Sequence, residues 1–362
     1  MCPQRTFGTT TSGDRLLLLW LTVACAPGPE SPQVTAAPSD YLSVQGEAFG
    51  TSWRVTWKGH EGTAGAVQAM VGSRLDAVDA QMSTWRDDSE LSVVRRTSGA
   101  VPVSPPTAEV VAASLDISRK TGGAFDPTVQ PLMELWGFHG KRRDDLPSEH
   151  EVEAVRGEVG WERVRVTQPT DGPPTIDAGG TALDLSAIAK GHAVDKVSEG
   201  LSEMGFAAHL VEIGGEVRVL GDGPSGADWR LGIQTPRPDT APGGDFHAVV
   251  RLGGGALATS GNYRNRYVVD GRELGHTMDP RTGRPAVSPT LSASVVAPGC
   301  RLADGLATAL MVMEPAEGLA LIETLPGVEA MVISASDGGL QTQVSTGMGR
   351  MLVPQASGDL VK

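Results

Sequence analysis

Apolar residues recur along the chain at two different periods, and these periods predict helices and strands. From residue 64 to 82, apolar side chains return every three or four positions, which predicts an amphipathic helix packed on a sheet. The segment 194–204 has the same period and is stopped by Gly205, which favours a second helix. A third, strongly apolar run at 300–314 is interpreted as a helix as well.

Short runs of alternating apolar and polar residues lie around these helices and are typical of β-strands. Asp270-Gly271, inside the strand-like run 265–275, is a hairpin turn signal. We therefore predict a mixed α/β (α+β) protein whose sheets are largely antiparallel and flanked by helices. The strand-like runs are 46–57, 209–221, 228–234, 247–252 and 265–275.

The N-terminus has the layout of a cleaved export signal. Arg5 and Arg15 precede an apolar stretch at 16–23 that is too short to span a bilayer. Cys25 follows a small residue, which predicts lipid modification of a new N-terminal cysteine. Simple secretion stays open as the alternative, because Thr22 stands where such signals usually carry Leu or Val.

Composition divides the chain into four parts. Residues 26–40 are rich in Pro, Ala and Ser without apolar periodicity, which is typical of a flexible tether. The predicted parts are the export signal 1–25, the tether 26–40, a domain at 41–350 and a C-terminal tail at 351–362. The protein is expected to be exported and lipid-anchored through Cys25 to the inner membrane, on its periplasmic side.

Charge and cysteine content exclude several classes of protein. The net charge of −13 argues against nucleic acid as a partner and against a basic membrane-binding face. After the signal only Cys300 remains, so no internal disulfide can form. A packed core must therefore stabilise the domain, and about 320 residues can bury one.

One acidic and one hydroxyl side chain stand four positions apart in the run 300–314. In a helix Asp304 and Thr308 share one face, with Cβ atoms roughly 5–6 Å apart, so both could bind one hard cation. The alternative is structural. Asp304 would then lie in the first turn of the helix, favoured by the helix dipole, and Thr308 would bond back to a carbonyl one turn earlier.

Two further segments, DLSAIAKG at 184–191 and HTMDPRTG at 276–283, concentrate polar groups at predicted strand ends and turns. Two more blocks are TGGAFDP at 121–127 and ALATSG at 256–261. Together with 300–314, they come in the order found in bacterial enzymes that move FMN from FAD onto a protein threonine or serine. Over these five blocks, from about Ser43 to about Val332, the chain resembles the FAD:protein FMN transferase (ApbE) family.

The resemblance implies a fold, a reaction and its participants. The fold is an ApbE-like, T-fold-like flavin transferase fold. The reaction is Mg²⁺-dependent transfer of FMN from FAD to a Thr or Ser hydroxyl of a target flavoprotein, with release of AMP. The implied acceptor is a membrane redox subunit facing the same compartment. Magnesium is usually held by one or two protein groups plus phosphate and water, which suits a single Asp304 with Thr308.

The resemblance also implies individual roles. The metal ligands are Asp304, Thr308 and the backbone carbonyl of Ala187. His276 is interpreted as the general base for the acceptor hydroxyl, since a free imidazole titrates near neutrality; the alternative is a histidine bonded to a neighbouring loop. The positions implied to contact FAD are Phe49, Trp85, Ala124, Phe125, Asp126, Asp184, Lys190 and Met278.

Several of these positions have structural alternatives. Trp85 could stack on a ring of FAD or lie in the core. Lys190 could meet phosphate or be a solvated surface lysine. Residues 279–283 are predicted to form a tight turn in which Arg281 has no catalytic role. The glycine clusters could be ordinary turns or could allow close approach of backbone to ligand; they are 122–123, 179–180, 214–215 and 253–255.

Two other functions remain open at the level of sequence. Water could replace the acceptor hydroxyl in the same site, which would make the protein an FAD pyrophosphatase that releases FMN and AMP. A lipoprotein that binds FAD without turnover is the other alternative.

Overall fold

The computed structural model describes residues 40–237, 244–262 and 266–354, without the side chains of Arg266 and Arg272. The predicted export signal, the tether up to residue 39 and the end of the predicted tail lie outside the described residues. No helix in the described ranges combines the length and the apolar character that crossing a membrane requires.

The strands vary from two to eight residues in length. They are β1 (Tyr41–Ala48), β2 (Thr51–Lys58), β3 (Ala100–Pro102), β4 (Arg165–Thr167), β5 (Thr175–Asp177), β6 (His209–Ile213), β7 (Glu216–Leu220), β8 (Trp229–Gln234), β9 (Phe246–Leu252), β10 (Gly254–Gly261), β11 (Arg266–Val269), β12 (Arg272–Gly275), β13 (Met278–Asp279), β14 (Arg284–Pro285), β15 (Thr290–Ala297), β16 (Glu329–Ser336) and β17 (Gly339–Val344).

The helices include three long ones, which are the first, third and sixth along the chain. They are α1 (Ala64–Met82), α2 (Glu90–Arg96), α3 (Pro105–Lys120), α4 (Gln130–Leu135), α5 (Glu149–Arg156), α6 (Ser186–Glu203), α7 (Cys300–Val312), α8 (Pro315–Ile322) and α9 (Thr346–Met351); single 3-10 turns lie at Glu61–Thr63 and Trp161–Arg163.

One antiparallel sheet organises the described part of the chain. Its strand order is β1-β2-β6-β7-β10-β15-β16-β17, and each neighbouring pair is antiparallel. The smaller sheets are β3-β5-β4, β8-β9, β11-β12 and β13-β14. The prediction of a mixed α/β fold with largely antiparallel pairing is confirmed.

Both faces of the central sheet are covered, and successive residues of a strand alternate between them. On β10, Ala256 and Ala258 pack in the core that α1, α6 and α7 share. Leu257, between them, packs in the opposite core with Trp229 of β8. Because the sheet is buried on both sides, it is a rigid platform for the loops at its ends.

The predicted helices are present, but one begins earlier than its apolar pattern. The helix predicted at 64–82 is α1. The pattern at 194–204 is only the second half of α6, which starts at Ser186. Its start follows Asp184, whose Oδ1 accepts a hydrogen bond from Ser186 N at 2.8 Å. This bond from an amide to the aspartate two residues earlier forms a local turn, and it is this turn, rather than apolar periodicity, that marks where α6 begins.

Two runs predicted as single strands are hairpins. The run 46–57 turns at Phe49 and Gly50, and 209–221 turns at Gly214 and Gly215; all four residues have positive φ. Two-residue turns of this kind match the twist of paired strands. The first turn escaped prediction because phenylalanine, the residue type at position 49, rarely adopts a positive φ. Both turns lie at the same end of the sheet, since Gly214 N donates to Ser52 O at 3.0 Å.

The first residues of the predicted C-terminal tail belong to the fold. Met351 ends α9, Leu352 forms a β-bridge with Val250, and Val353 N donates to Val249 O at 2.8 Å. The boundary expected at residue 350 therefore lies at least three residues further along.

Candidate active site

A cavity of about 600 Å³ gathers most of the predicted site residues. It lies where the β6–β7 turn, the first turns of α6 and the middle of α7 meet, and its volume is ordinary for a small-molecule site. Every predicted site residue except Phe49 and Trp85 lines it: Ala124, Phe125, Asp126, Asp184, Ala187, Lys190, His276, Met278, Asp304 and Thr308.

Asp304 and Thr308 face this cavity from α7. Asp304 is the fifth residue of the helix and the first turn holds no acidic residue, so the alternative of a dipole-stabilised first-turn aspartate is wrong. Asp304 is 2% exposed, and its Oδ2 accepts from Gly191 N at 2.9 Å. Thr308 Oγ1 lies 3.2 Å from the hydroxyl of Ser260 on β10.

The oxygen atoms of this group suit a hard cation. Carboxylate, hydroxyl and backbone carbonyl oxygens are available from Asp304, Thr308 and Ala187. The described residues contain no group of three His, Cys, Asp or Glu side chains placed to hold a metal ion, so a cation here would complete its coordination with phosphate and water. Burial raises the pKa of Asp304, and the nearby ammonium of Lys190 opposes that rise. A bound cation would oppose it further.

Lys190 is paired inside the cavity rather than solvated. Its Nζ donates to Glu216 Oε1 at 2.6 Å, and one third of the lysine side chain is exposed. Burial tends to lower the pKa of Lys190, but the charges of Asp304 and Glu216 outweigh it and the pKa is raised, so the ammonium stays charged. Its position fits the predicted phosphate contact better than the surface alternative.

Glu216 is a site residue that sequence reasoning missed. It opens β7 directly after the Gly214-Gly215 turn and is 3% exposed. Burial raises its pKa to about 7 against the opposing charge of Lys190. Its Oε2 is buried and has no hydrogen-bond partner. The available signal was a charged residue beside a glycine pair at the end of an apolar run.

Helices α6 and α7 are fastened together beside the cavity. Asp195 of α6 accepts hydrogen bonds from the first two amides of α7, Cys300 N at 2.8 Å and Arg301 N at 3.0 Å. Arg218 on β7 donates to the same carboxylate at 2.5 Å. Amides in the first turn of a helix lack partners within the helix, so this side chain caps α7 from outside.

Two aspartates shape the loops of the cavity wall. Asp126 Oδ1 accepts from Thr128 N at 2.8 Å, and its Oδ2 accepts from Trp161 N at 3.2 Å. Burial raises the pKa of Asp126. Asp184 accepts from both the amide and the hydroxyl of Ser186, at 2.8 and 2.5 Å. Both carboxylates therefore organise backbone in addition to lining the cavity.

His276 and Met278 line the cavity just before the predicted tight turn. In that turn Gly283 N donates to Asp279 O at 2.9 Å, and Gly283 has a φ of 71°. Arg281 Nε donates to Asp279 Oδ1 at 2.9 Å. The predicted turn is confirmed, and the ion pair within it gives Arg281 a local structural contact.

Phe49 and Trp85 lie outside the cavity lining. Trp85 is 78% exposed and its ring meets His139 edge-on at a centroid distance of 5.0 Å, so the core alternative is wrong. Phe49 lies on the β1–β2 turn. This turn is next to the β6–β7 turn that lines the cavity, because a Cβ added to Gly214 would be 2.8 Å from the side chain of Thr51. Contact of either aromatic side chain with FAD stays a prediction.

The glycine clusters differ in what they do. Gly214 and Gly215 line the large cavity, whereas the pair 122–123 lines an adjoining cavity of about 290 Å³ that shares Asp126 and Pro280 with it. The clusters 179–180 and 253–255 line neither of these two cavities. Sequence reasoning also missed one wall of the large cavity. The two-stranded β8-β9 sheet provides this wall through Gly232, Gln234 and Phe246.

Comparison with known proteins identifies the family. The sequence model of the family described as "ApbE family" matches residues 49–332, most of the described chain. The chain belongs to the ApbE family. A relative from Vibrio cholerae named FAD:protein FMN transferase is 36% identical over 306 residues, covering 83% of this chain and 90% of the relative.

Solved ApbE structures share the fold. The flavin transferase ApbE from Vibrio cholerae superposes with a TM-score of 0.76 at 34% identity, covering 87% of this chain and 100% of that one. The apo form of the Pseudomonas stutzeri flavinyl transferase ApbE has a TM-score of 0.74 at 31% identity, covering 90% and 98%. The expected flavin transferase fold is therefore confirmed.

Proposed function

We propose that this ApbE-family chain transfers FMN from FAD to a Thr or Ser hydroxyl of a partner flavoprotein and releases AMP. The observation that carries the proposal is the convergence of His276, Lys190, Asp304 and Thr308 on one cavity. Relatives that share most of their length with this chain and are named FAD:protein FMN transferase support the same reaction.

The reaction is a phosphoryl transfer in which positioning and charge do most of the work. The acceptor oxygen attacks the phosphorus on the FMN side of the pyrophosphate, and a new phosphoester bond forms. The bridging P–O bond breaks and its electron pair leaves with AMP. His276 takes the proton of the acceptor hydroxyl, and Lys190 offsets the charge of the phosphates.

Magnesium is the proposed cofactor. The carboxylate of Asp304, the hydroxyl of Thr308 and the carbonyl of Ala187 would hold it, and their oxygen chemistry suits this ion. When bound, Mg²⁺ supplies positive charge for the pyrophosphate and the leaving phosphate. Glu216 holds the ammonium of Lys190 beside this group.

The proposed location is the periplasmic face of the inner membrane, with a lipid on Cys25 and the tether 26–40 leading to the domain. This proposal rests on the sequence of the N-terminus. If the protein is located there, the natural class of acceptor is a membrane redox subunit that faces the same compartment.

The experiment mixes the purified protein with FAD, MgCl₂ and a candidate acceptor flavoprotein, and weighs the intact acceptor by mass spectrometry. We expect an added FMN that disappears with EDTA and in Asp304→Ala. Asp116→Ala is the matched control, since Asp116 pairs only with exposed Arg119 and Lys120 on α3; it should transfer FMN normally.

The alternatives predict different products. Release of FMN and AMP with an unmodified acceptor would favour the FAD pyrophosphatase, in which water takes the place of the acceptor hydroxyl. FAD binding without any turnover would contradict the proposal and leave a flavin-binding lipoprotein.

A further inference from the structure

Gly191 lies where α6 packs against the start of α7, between the proposed cation ligands of the two helices. A Cβ on Gly191 would be 2.4 Å from Cys300 O and 2.8 Å from Asp304 Cβ. Glycine costs a helix interior about 1 kcal/mol relative to alanine. Its presence inside α6 is explained by this approach, which any side chain would block.

The Gly191 amide makes an unusual bond for a helix interior. In an α-helix the N–H of each residue donates to the carbonyl four residues earlier, which for Gly191 is the carbonyl of Ala187. Gly191 N has an acceptor outside its own helix, Asp304 Oδ2 at 2.9 Å. A backbone carbonyl oxygen has two lone pairs, so that of Ala187, which lines the cavity, can accept within the helix and still offer one lone pair to a cation.

We infer that Gly191 is the positioning residue that fits the cation site to Mg²⁺ rather than to a larger divalent ion. The inference rests on the proposed function and deepens it. By donating its amide hydrogen to Asp304, Gly191 orients the carboxylate. By lacking a Cβ, it sets the distance between the ligands of α6 and those of α7.

The distances involved are large enough to change ion selectivity. Ligand oxygens lie about 2.0–2.1 Å from Mg²⁺ and 2.3–2.6 Å from Ca²⁺. Favourable carbon–oxygen contacts are about 3.3–3.6 Å, so a methyl group 2.4 Å from Cys300 O would part the helices by roughly 1 Å. That separation exceeds the difference between the ligand distances of Mg²⁺ and Ca²⁺.

Helix α7 has little freedom to avoid this contact by sliding along its axis. The contacted carbonyl belongs to Cys300, the first residue of α7, whose amide donates to Asp195 at 2.8 Å. Asp195 is itself part of α6. Separation of the two helices at Gly191 is therefore the response expected to an added methyl group.

The first test is Gly191→Ala, with Mg²⁺ and Ca²⁺ binding measured by calorimetry on the purified protein in the presence of AMP. We expect Mg²⁺ affinity to fall about tenfold or more, and Ca²⁺ affinity to fall less, so that the Ca²⁺:Mg²⁺ preference rises. Gly200→Ala is the control on the same helix. There the atoms nearest to the added methyl belong to the flexible side chain of Met70, and the ion preference should not change.

A second measurement uses the unaltered protein, in case Gly191→Ala does not fold. Ala187-Ile188 is the only Ala-Ile pair in the chain, so labelling with ¹³C-carbonyl alanine and ¹⁵N isoleucine gives a single carbonyl–amide NMR signal. Titration with MgCl₂ in the presence of AMP should shift this signal saturably.

Each outcome decides the inference. Unchanged ion preference in a folded Gly191→Ala protein overturns it, as does Mg²⁺ binding without a shift at Ala187. If the unaltered protein binds no Mg²⁺ even with FAD present, the metal step of the proposed function fails and this inference fails with it. Mg²⁺ binding together with an unchanged preference in Gly191→Ala would leave the proposed function standing.

Discussion

The ammonium of Lys190 is bonded to the buried carboxylate of Glu216 and feels the charge of a second buried carboxylate, that of Asp304. Lys190→Met removes the positive charge that we propose faces the phosphates of FAD. We expect FAD to bind about tenfold more weakly or worse, because a charge-assisted contact is lost. Quenching of flavin fluorescence measures the affinity.

The control for this change is Lys196→Met on the same helix. Lys196 donates to Glu199 at 2.9 Å in a partly exposed pair and does not line the cavity, so FAD affinity should stay at the level of the unaltered protein. If Lys190→Met and Lys196→Met bind FAD equally well, Lys190 is not a phosphate contact.

His192 makes the stability of the fold depend on pH. It is 1% exposed with an unpartnered Nε2, and burial lowers its pKa to about 3. Its pKa in the unfolded chain is about 6.5. As pH falls below 6.5, the unfolded state gains a proton that the folded state cannot take up, so stability falls by up to about 1.4 kcal/mol per pH unit.

Urea unfolding of the unaltered protein and of His192→Phe between pH 4.5 and 7 measures this effect. The variant has no group to protonate at this position, so its free energy of unfolding should fall less steeply with decreasing pH. Parallel curves for the two proteins would show that His192 is protonated in the folded state.

Among the elements, α6 and α7 depend on each other through Asp195. Asp195→Ala removes the acceptor of two α7 amides and leaves Arg218 without its carboxylate. We expect the free energy of unfolding to fall by about 2–4 kcal/mol, since a cap and a largely buried ion pair are lost together. Urea denaturation measures the change.

Asp195→Asn provides the graded comparison. It keeps one oxygen acceptor for α7 and loses the charge that pairs with Arg218, so its loss should lie between that of the alanine variant and zero. An alanine variant as stable as the unaltered protein would show that α7 needs no cap from α6.

In the whole molecule, the proposed anchor and the cavity are separate parts of the chain. Cys25→Ala should move the protein from the membrane fraction to the soluble fraction, because the predicted lipid attachment is lost. FMN transfer by the purified variant should not change, since the cavity residues all lie beyond residue 120. Fractionation and the mass of the N-terminal peptide measure this outcome; equal partition of both proteins would contradict the anchor.

Local patterns in the sequence determined the parts of this protein that depend on neighbours along the chain. Period 3.6 predicted α1 and the shared face of Asp304 and Thr308, because residues four apart stack in any helix. Turn chemistry predicted the bend at 279–283. Resemblance to the ApbE family supplied the roles for the residues that the cavity brings together.

Only the tertiary structure decided which distant residues meet. The Gly191 amide finds its acceptor 113 residues away on Asp304, and Lys190 finds Glu216 across a hairpin that the strand pattern did not reveal. Phe246 reaches the cavity from a second layer of the fold. These contacts follow from how α6, α7 and the sheets pack, and packing depends on the shapes of surfaces that no local period in the sequence encodes.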